Sequence, residues 1–141
     1  GEDSQIEAAF PVIELHNFMF RGEKKTLSEL IANNGINAGI ILPEINWQRS
    51  TKYINNVGIL TLKINGSDVG QACLWPNDTG PETSLNWLKN NLGDFGIELI
   101  PGDIVLAGTA LGLYPVKNGD KVVVCIDEQP TVSCSVENLT Q

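Results

Sequence analysis

The sequence predicts an α+β, β-rich fold: a twisted mixed β-roll or barrel carrying one longer and one short helix. Three observations lead there. Asn65-Gly66 stands between two runs of alternating apolar residues, short apolar runs separated by glycine turns fill the chain from Ile97 onward, and only two stretches carry helical spacing.

From Ala8, AAFPVIELHNF is an apolar run interrupted by Glu14 and His16. If the run is extended these two share a face, because side chains two apart point the same way, and a half-buried strand follows. After the basic turn at 21–25, TLSELIANN offers a capping box, Thr26 with Glu29 three later, ahead of Leu27, Leu30 and Ile31. That predicts a short helix ending near Asn33 or Asn34, with Gly35 in the left-handed position just past it. INAGIILPEI reads as the next strand, and the polar stretch from Trp47 to Asn56 takes no assignment.

Leu60, Leu62 and Ile64 then alternate up to Asn65-Gly66, and SDVGQACLW returns, the signature of a tight type I′ hairpin. Gly80-Pro81 opens the longer helix, ETSLNWLKNNLGDFG, with Leu85, Leu88 and Leu92 as a stripe directed at a sheet and Gly93 past its end. Beyond it, IELI, IVLAGT, LYPV, KVVVCI and TVSCSV read as short strands. Pro101-Gly102-Asp103 and Asn118-Gly119-Asp120 are the turns between them, their Asp side chains bonding back to local backbone. Gly108 lies inside a strand-like run, where glycine marks a bulge or the close approach of a backbone or ligand.

The 141 residues fit a single domain, 1–141, and 42% hydrophobic residues suffice to order it around a core. Net charge is −8, with Lys and Arg scattered apart from the run Arg21 to Lys25, so phosphate-backbone binding lacks its cation cluster and nucleic acid is not an expected partner. No apolar run approaches the roughly 20 residues of a membrane-spanning helix, and the N-terminus lacks the pattern of a signal peptide. Three widely spaced cysteines, Cys73, Cys125 and Cys134, form neither a disulfide framework nor a zinc motif. A cytoplasmic location is the expectation.

For chemistry, Glu14 is the leading candidate. A carboxylate in an apolar strand must be paired, metal-bound or on a wet face, since burying it bare is costly. His16 on the same side could join it as an acid/base near neutral pH, although a lone histidine is more often structural. With no second histidine, histidine zinc sites and Cys–His or Ser–His pairs have little to draw on, and no GxSxG, GxGxxG or Walker loop is present.

Several stretches, in order, resemble the C-terminal part of the fumarylacetoacetate hydrolase superfamily, in its 2-keto-4-pentenoate hydratase and 4-oxalocrotonate decarboxylase branch. PVIELHNFMF is similar to that branch's P-A-x-E-I-x-D-S-R-x strand, and LIANNGINAGIIL to its I-A-D-N-x-x-x-x-G segment. LTLKINGSDVGQACL is similar to its hairpin. The long block from GPETSLNWLKNNL through IPGDIVLAGT to KNGDKVVV is similar to P-x-x-A-L-x-W-L-A-N-x-L…G-D-x-V-L-x-G-S/T…G-D-x-V.

The resemblance implies a β-roll with a pocket for Mg²⁺ or Mn²⁺ and a small 2-keto acid, acting as hydratase or decarboxylase on 2-keto or 2-hydroxy-dienoic acids. It implies Glu14 as a metal ligand, His16 and Asn33 as catalytic candidates, and Gly108 and Thr109 at the substrate. It implies a homo-oligomer, or association with an N-terminal portion. The family's paired Glu-x-Glu ligands have no equivalent ahead of Glu14, its Asp-Ser-Arg appears as Asn17-Phe18-Met19, and the Asp of its A-D-N appears as Asn33. A catalytically silent binding or assembly module on the same scaffold is the alternative these departures suggest.

Overall fold

Two antiparallel sheets organise the chain in the computed structural model, which describes residues 6–17, 24, 26–75 and 80–138. The first pairs β1 (Ile13–His16) with β2 (Asn37–Ile41). The second has four strands, β3 (Ile59–Ile64), β4 (Ser67–Cys73), β5 (Lys121–Ile126) and β6 (Gln129–Ser135), in the order β4-β3-β5-β6. The fold is thus α+β and rich in sheet, but neither sheet closes and every pairing among the described residues is antiparallel. This corrects the mixed roll or barrel expected above.

The correction has a physical source. Of the five short runs predicted after Ile97, only KVVVCI and TVSCSV become strands, as β5 and β6, whereas 97–100, 104–109 and 113–116 pair with nothing. Strand propensity reports fit to a pleated, half-buried surface rather than a fixed backbone preference, and these three runs join no ladder. They cover other parts of the molecule instead. Tyr114 and Leu111 lie over Gly70 of β4, where a Cβ would collide with the Tyr114 hydroxyl, so a glycine there makes room for the ring.

The core is centred on β5, one of the two inner strands of the four-stranded sheet. Val122, Val124 and Ile126 alternate on one face with Val132 of β6, and Cys125 is buried on the other. Both loops of the central sheet are two-residue hairpins with positive φ at each position: Asn65 (52°) and Gly66 (82°) join β3 to β4, and Asp127 (50°) and Glu128 (67°) join β5 to β6. The two predicted Gly-Asp turns share one construction. The Asp103 carboxylate accepts from Ile100 N (2.8 Å) and the Asp120 carboxylate from Lys117 N (2.9 Å), with Gly102 and Gly119 at φ 97° and 88°.

Between β1 and β2 runs α1 (Leu27–Ala32), started by the predicted capping box: Glu29 N donates to Thr26 Oγ1 (3.2 Å) and Thr26 N to Glu29 Oε2 (2.8 Å). The Thr26 backbone N–H, and next the Thr26 hydroxyl, both donating to Glu29 Oε2, hold the Glu29 carboxyl below its ordinary value. Most of the basic turn, 21–23 and 25, and the strand reading beyond Asn17 lie outside the described residues.

The stretch left unassigned begins with a short helix, α2 (Ile45–Gln48), and is anchored by Tyr53, which is fully buried. Tyr53 stacks on Trp47 with ring centroids 6.1 Å apart, and its carbonyl accepts from Trp75 Nε1 (2.7 Å).

The longer helix, α3 (Glu82–Gly93), forms as predicted but ends differently. Gly93 is its last residue, and the left-handed glycine is Gly96 (φ 69°). Ile97 N donates to Leu92 O and Gly96 N to Gly93 O, the paired bonds of a Schellman cap. Its leucine stripe does not sink into a sheet, since none of its residues is buried and Trp87 is 67% exposed.

Candidate functional site

The first sheet reverses the usual pattern of a surface strand. On β1 Glu14 and His16 are half-buried along with Ile13, while the apolar Leu15 between them faces outward at 42% exposure. Glu14 lines an open cleft of about 300 Å³ with Asn34, Asn37, Gly39, Ile40, Ile104 and Leu106, at the small end of ligand-binding cavities. Its Oε1 accepts a hydrogen bond from Asn37 Nδ2 (2.7 Å), and His16 Nε2 lies 3.5 Å from the same oxygen. That second distance is an ion pair if the imidazole is protonated and too long for a strong hydrogen bond.

The chain reaches this geometry through a turn and a bulge. Asn34 (φ 51°), Gly35 (65°) and Ile36 (61°) are all left-handed, which reverses the chain sharply between α1 and β2. Ile36 is a β-branched residue in a conformation such residues avoid, held there by burial to 5% exposure. In the β1–β2 ladder Glu14 faces Ile40 and Leu15 faces Gly39, but His16 faces Asn37, so Ala38 is an extra, bulged residue.

The predicted residues divide. Glu14 and His16 come together as expected. Asn33 instead terminates α1, its Nδ2 donating to Glu29 O (2.8 Å) and its N–H to the same carbonyl, and the neighbouring Asn34 lines the cleft. The run 104–109 does contribute to the cleft, through Ile104 and Leu106. Gly108 has φ 91° with open space where a Cβ would stand, so backbone conformation rather than close approach asks for glycine there. The Thr109 hydroxyl accepts from Leu111 N (3.0 Å).

Asn34 and Asn37 escaped sequence reasoning. Strict alternation from Ile40 puts Ala38, not Asn37, on the Glu14 face, and only the bulge exchanges them. A second cleft, about 510 Å³, opens between 42–44 and the β5–β6 strands, lined in part by Lys121, Val123, Thr131 and Ser133, and holds none of the predicted residues.

A divalent cation such as Mg²⁺ or Mn²⁺ takes six or more oxygens, with several carboxylates converging. Among the described residues no three His, Cys, Asp or Glu side chains gather, and Glu14 is the one carboxylate of its cleft. These residues do not fit a complete Mg²⁺ or Mn²⁺ site. Also among them, no helix is long and apolar enough to cross a membrane.

Comparison with known proteins finds the same resemblance. The chain is 32% identical over 73 residues to a 2-hydroxyhexa-2,4-dienoate hydratase of Comamonas testosteroni, covering 52% of this chain and 27% of that protein. It is 26% identical over 115 residues to a 2-oxo-hept-4-ene-1,7-dioate hydratase of Escherichia coli, covering 75% of this chain and 39% of that protein. The chain is similar to the hydratase branch of the fumarylacetoacetate hydrolase superfamily. It spans well under half the length of these relatives, and no protein-family model matches it.

Proposed function

We propose that this chain is the hydratase-like part of a lyase that adds water to small 2-hydroxy- or 2-oxo-dienoic acids. The observation that carries this reading is the half-buried Glu14, lining a cleft with His16 beside it, in a chain similar to a 2-hydroxyhexa-2,4-dienoate hydratase and a 2-oxo-hept-4-ene-1,7-dioate hydratase. Ile40, Ile104 and Leu106 provide an apolar wall for the hydrocarbon part of the substrate. Asn34 and the second N–H of Asn37 can donate to its oxygens.

Hydration of a conjugated enol acid requires a proton to leave the 2-hydroxyl, a proton to reach carbon, and the elements of water to add across the remaining double bond. In this reading His16, beside Glu14, takes and returns those protons. A Mg²⁺ or Mn²⁺ requirement belongs to the same proposal, with Glu14 as one ligand and the other carboxylates supplied from outside this cleft. Gly108 and Thr109 are proposed to meet the substrate at the far end of the wall. A cytoplasmic location fits the free thiols of all three cysteines.

One observation favours assembly as a further property. The chain exposes 10454 Å², against about 7,100 Å² for a compact monomer of 15.3 kDa, and Leu27, Ile31, Trp87, Phe95 and Ile100 are each more than 65% exposed. A second copy, or a companion polypeptide, is proposed to cover this surface.

The test follows the ultraviolet absorbance of 2-hydroxypenta-2,4-dienoate, with Mg²⁺ or Mn²⁺ supplied, for the chain and for any longer protein that contains it. Hydration that slows at least about 100-fold in Glu14→Gln is the expected result. Conversion at the uncatalysed rate by both proteins would overturn the reading and leave the silent module in its place.

A further inference from the structure

We infer that Asn37 is a positioning residue: its side-chain amide fixes the Glu14 carboxylate in the cleft, and the Ala38 bulge exists in the ladder to aim that amide. The inference rests on the hydratase reading for its catalytic consequence, but the geometry stands without it.

Side chains on a strand alternate, so a register free of bulges, counted back from Ile40 opposite Glu14, brings Ala38 to the cleft and sends Asn37 to the opposite face. One inserted residue inverts that order. Asn37 then stands opposite His16 and reaches diagonally to Glu14 Oε1 at 2.7 Å, a length typical of a charge-assisted bond. Ala38 is exposed, as the displaced residue of a bulge should be. The left-handed run Asn34 to Ile36 immediately precedes this point and fixes where β2 begins, so two irregularities of the backbone converge on one side chain.

The bond is consequential because of what surrounds it. Glu14 Oε1 is also the oxygen paired with His16, and among the described residues no Lys or Arg lines the cleft to steady the carboxylate. A flexible Glu side chain has several rotamers. With Oε1 tied to Asn37, it holds the one that keeps Oε1 3.5 Å from the imidazole, at the cleft the side chain lines.

Nuclear magnetic resonance decides the geometry apart from any activity. The Asn37 side-chain amide is assigned in the wild type, Glu14→Gln and Glu14→Ala, with the backbone spectrum as the check on folding. Loss of the carboxylate acceptor is expected to move the bonded Hδ2 proton clearly upfield in both variants. An Asn37 amide indifferent to Glu14 in variants that retain the fold overturns the proposal. The single histidine provides a second probe, since its ring signals in Asn37→Ala should shift toward those in Glu14→Ala.

Kinetics tests the consequence. Asn37→Ala is expected to lose up to about 100-fold in kcat with a smaller change in KM. The double variant Asn37→Ala with Ala38→Asn, which moves the amide to the bulged position, is expected to recover none of it. Recovery in that variant overturns the role given to the bulge. If the wild type turns over no dienoate, the hydratase reading fails, and the amide signals alone decide whether Asn37 holds Glu14.

Discussion

The two hairpin loops of the central sheet have the same shape and opposite chemistry. Asn65-Gly66 and Asp127-Glu128 each place two residues at positive φ, as a type I′ loop requires, yet the first pair favours that conformation and the second contains a glutamate that resists it. The Asn65 loop is stabilised from within and from beside. Its Nδ2 donates to Asp120 Oδ1 (2.8 Å) and its Oδ1 accepts from Lys121 N (2.9 Å), tying the hairpin to the turn that starts β5. The Asp127 loop is held mainly from outside: Ile59 N donates to Asp127 Oδ1 and Asp127 N to Ile59 O, both 2.9 Å. A loop can therefore be specified by its own residues or imposed by the strands it joins and their neighbours.

The largest effect that would break this comparison is Asn65→Ala. It removes the bond to Lys121 N and puts a less tolerant residue in the left-handed region, a loss of about 2 kcal/mol in chemical denaturation, beyond the contribution of Asp120. An unchanged midpoint would show that the strands hold this loop as well.

Glu128→Gly should act in the opposite direction. Relief of left-handed strain outweighs the added freedom of glycine in the unfolded chain, for a net gain of about 0.5 kcal/mol, read as a higher thermal midpoint. A lower midpoint would mean that Glu128 makes its loop by interactions rather than enduring it.

The smallest effect is in pH. The Asn65 amide, and next the Lys117 backbone N–H, hold the Asp120 carboxyl below its ordinary value. A depressed folded value means that the associated stability is present above the unfolded carboxylate range and is lost as pH falls through the folded value. The gap between wild type and Asn65→Ala should accordingly be widest at neutral pH and narrow in acid, measured by denaturation at several pH values.

The same distinction separates what was legible elsewhere. The Thr26–Glu29 capping box, the Asn65-Gly66 hairpin and both Gly-Asp turns appear where the sequence puts them, because each is satisfied by bonds spanning two or three residues. That Glu14 and His16 share one side of a strand was likewise legible from their spacing. Asn37 was not, since a bulge inverts the alternation by which a sequence is read; Asn34 reaches the cleft through the left-handed turn ahead of β2, and Asn33 closes α1.

What the sequence determined by itself was therefore local: where turns fall, where helices begin, which carboxylate stands on an apolar strand, and a likeness to dienoate hydratases. Tertiary structure alone decided which apolar runs pair, so that 121–126 became the core strand while 104–106 became a cleft wall, and which amide reaches Glu14. The reason is one of range. A turn is closed by neighbours in the chain, whereas a strand exists only if another strand lies alongside it, and no residue carries that information about its partner.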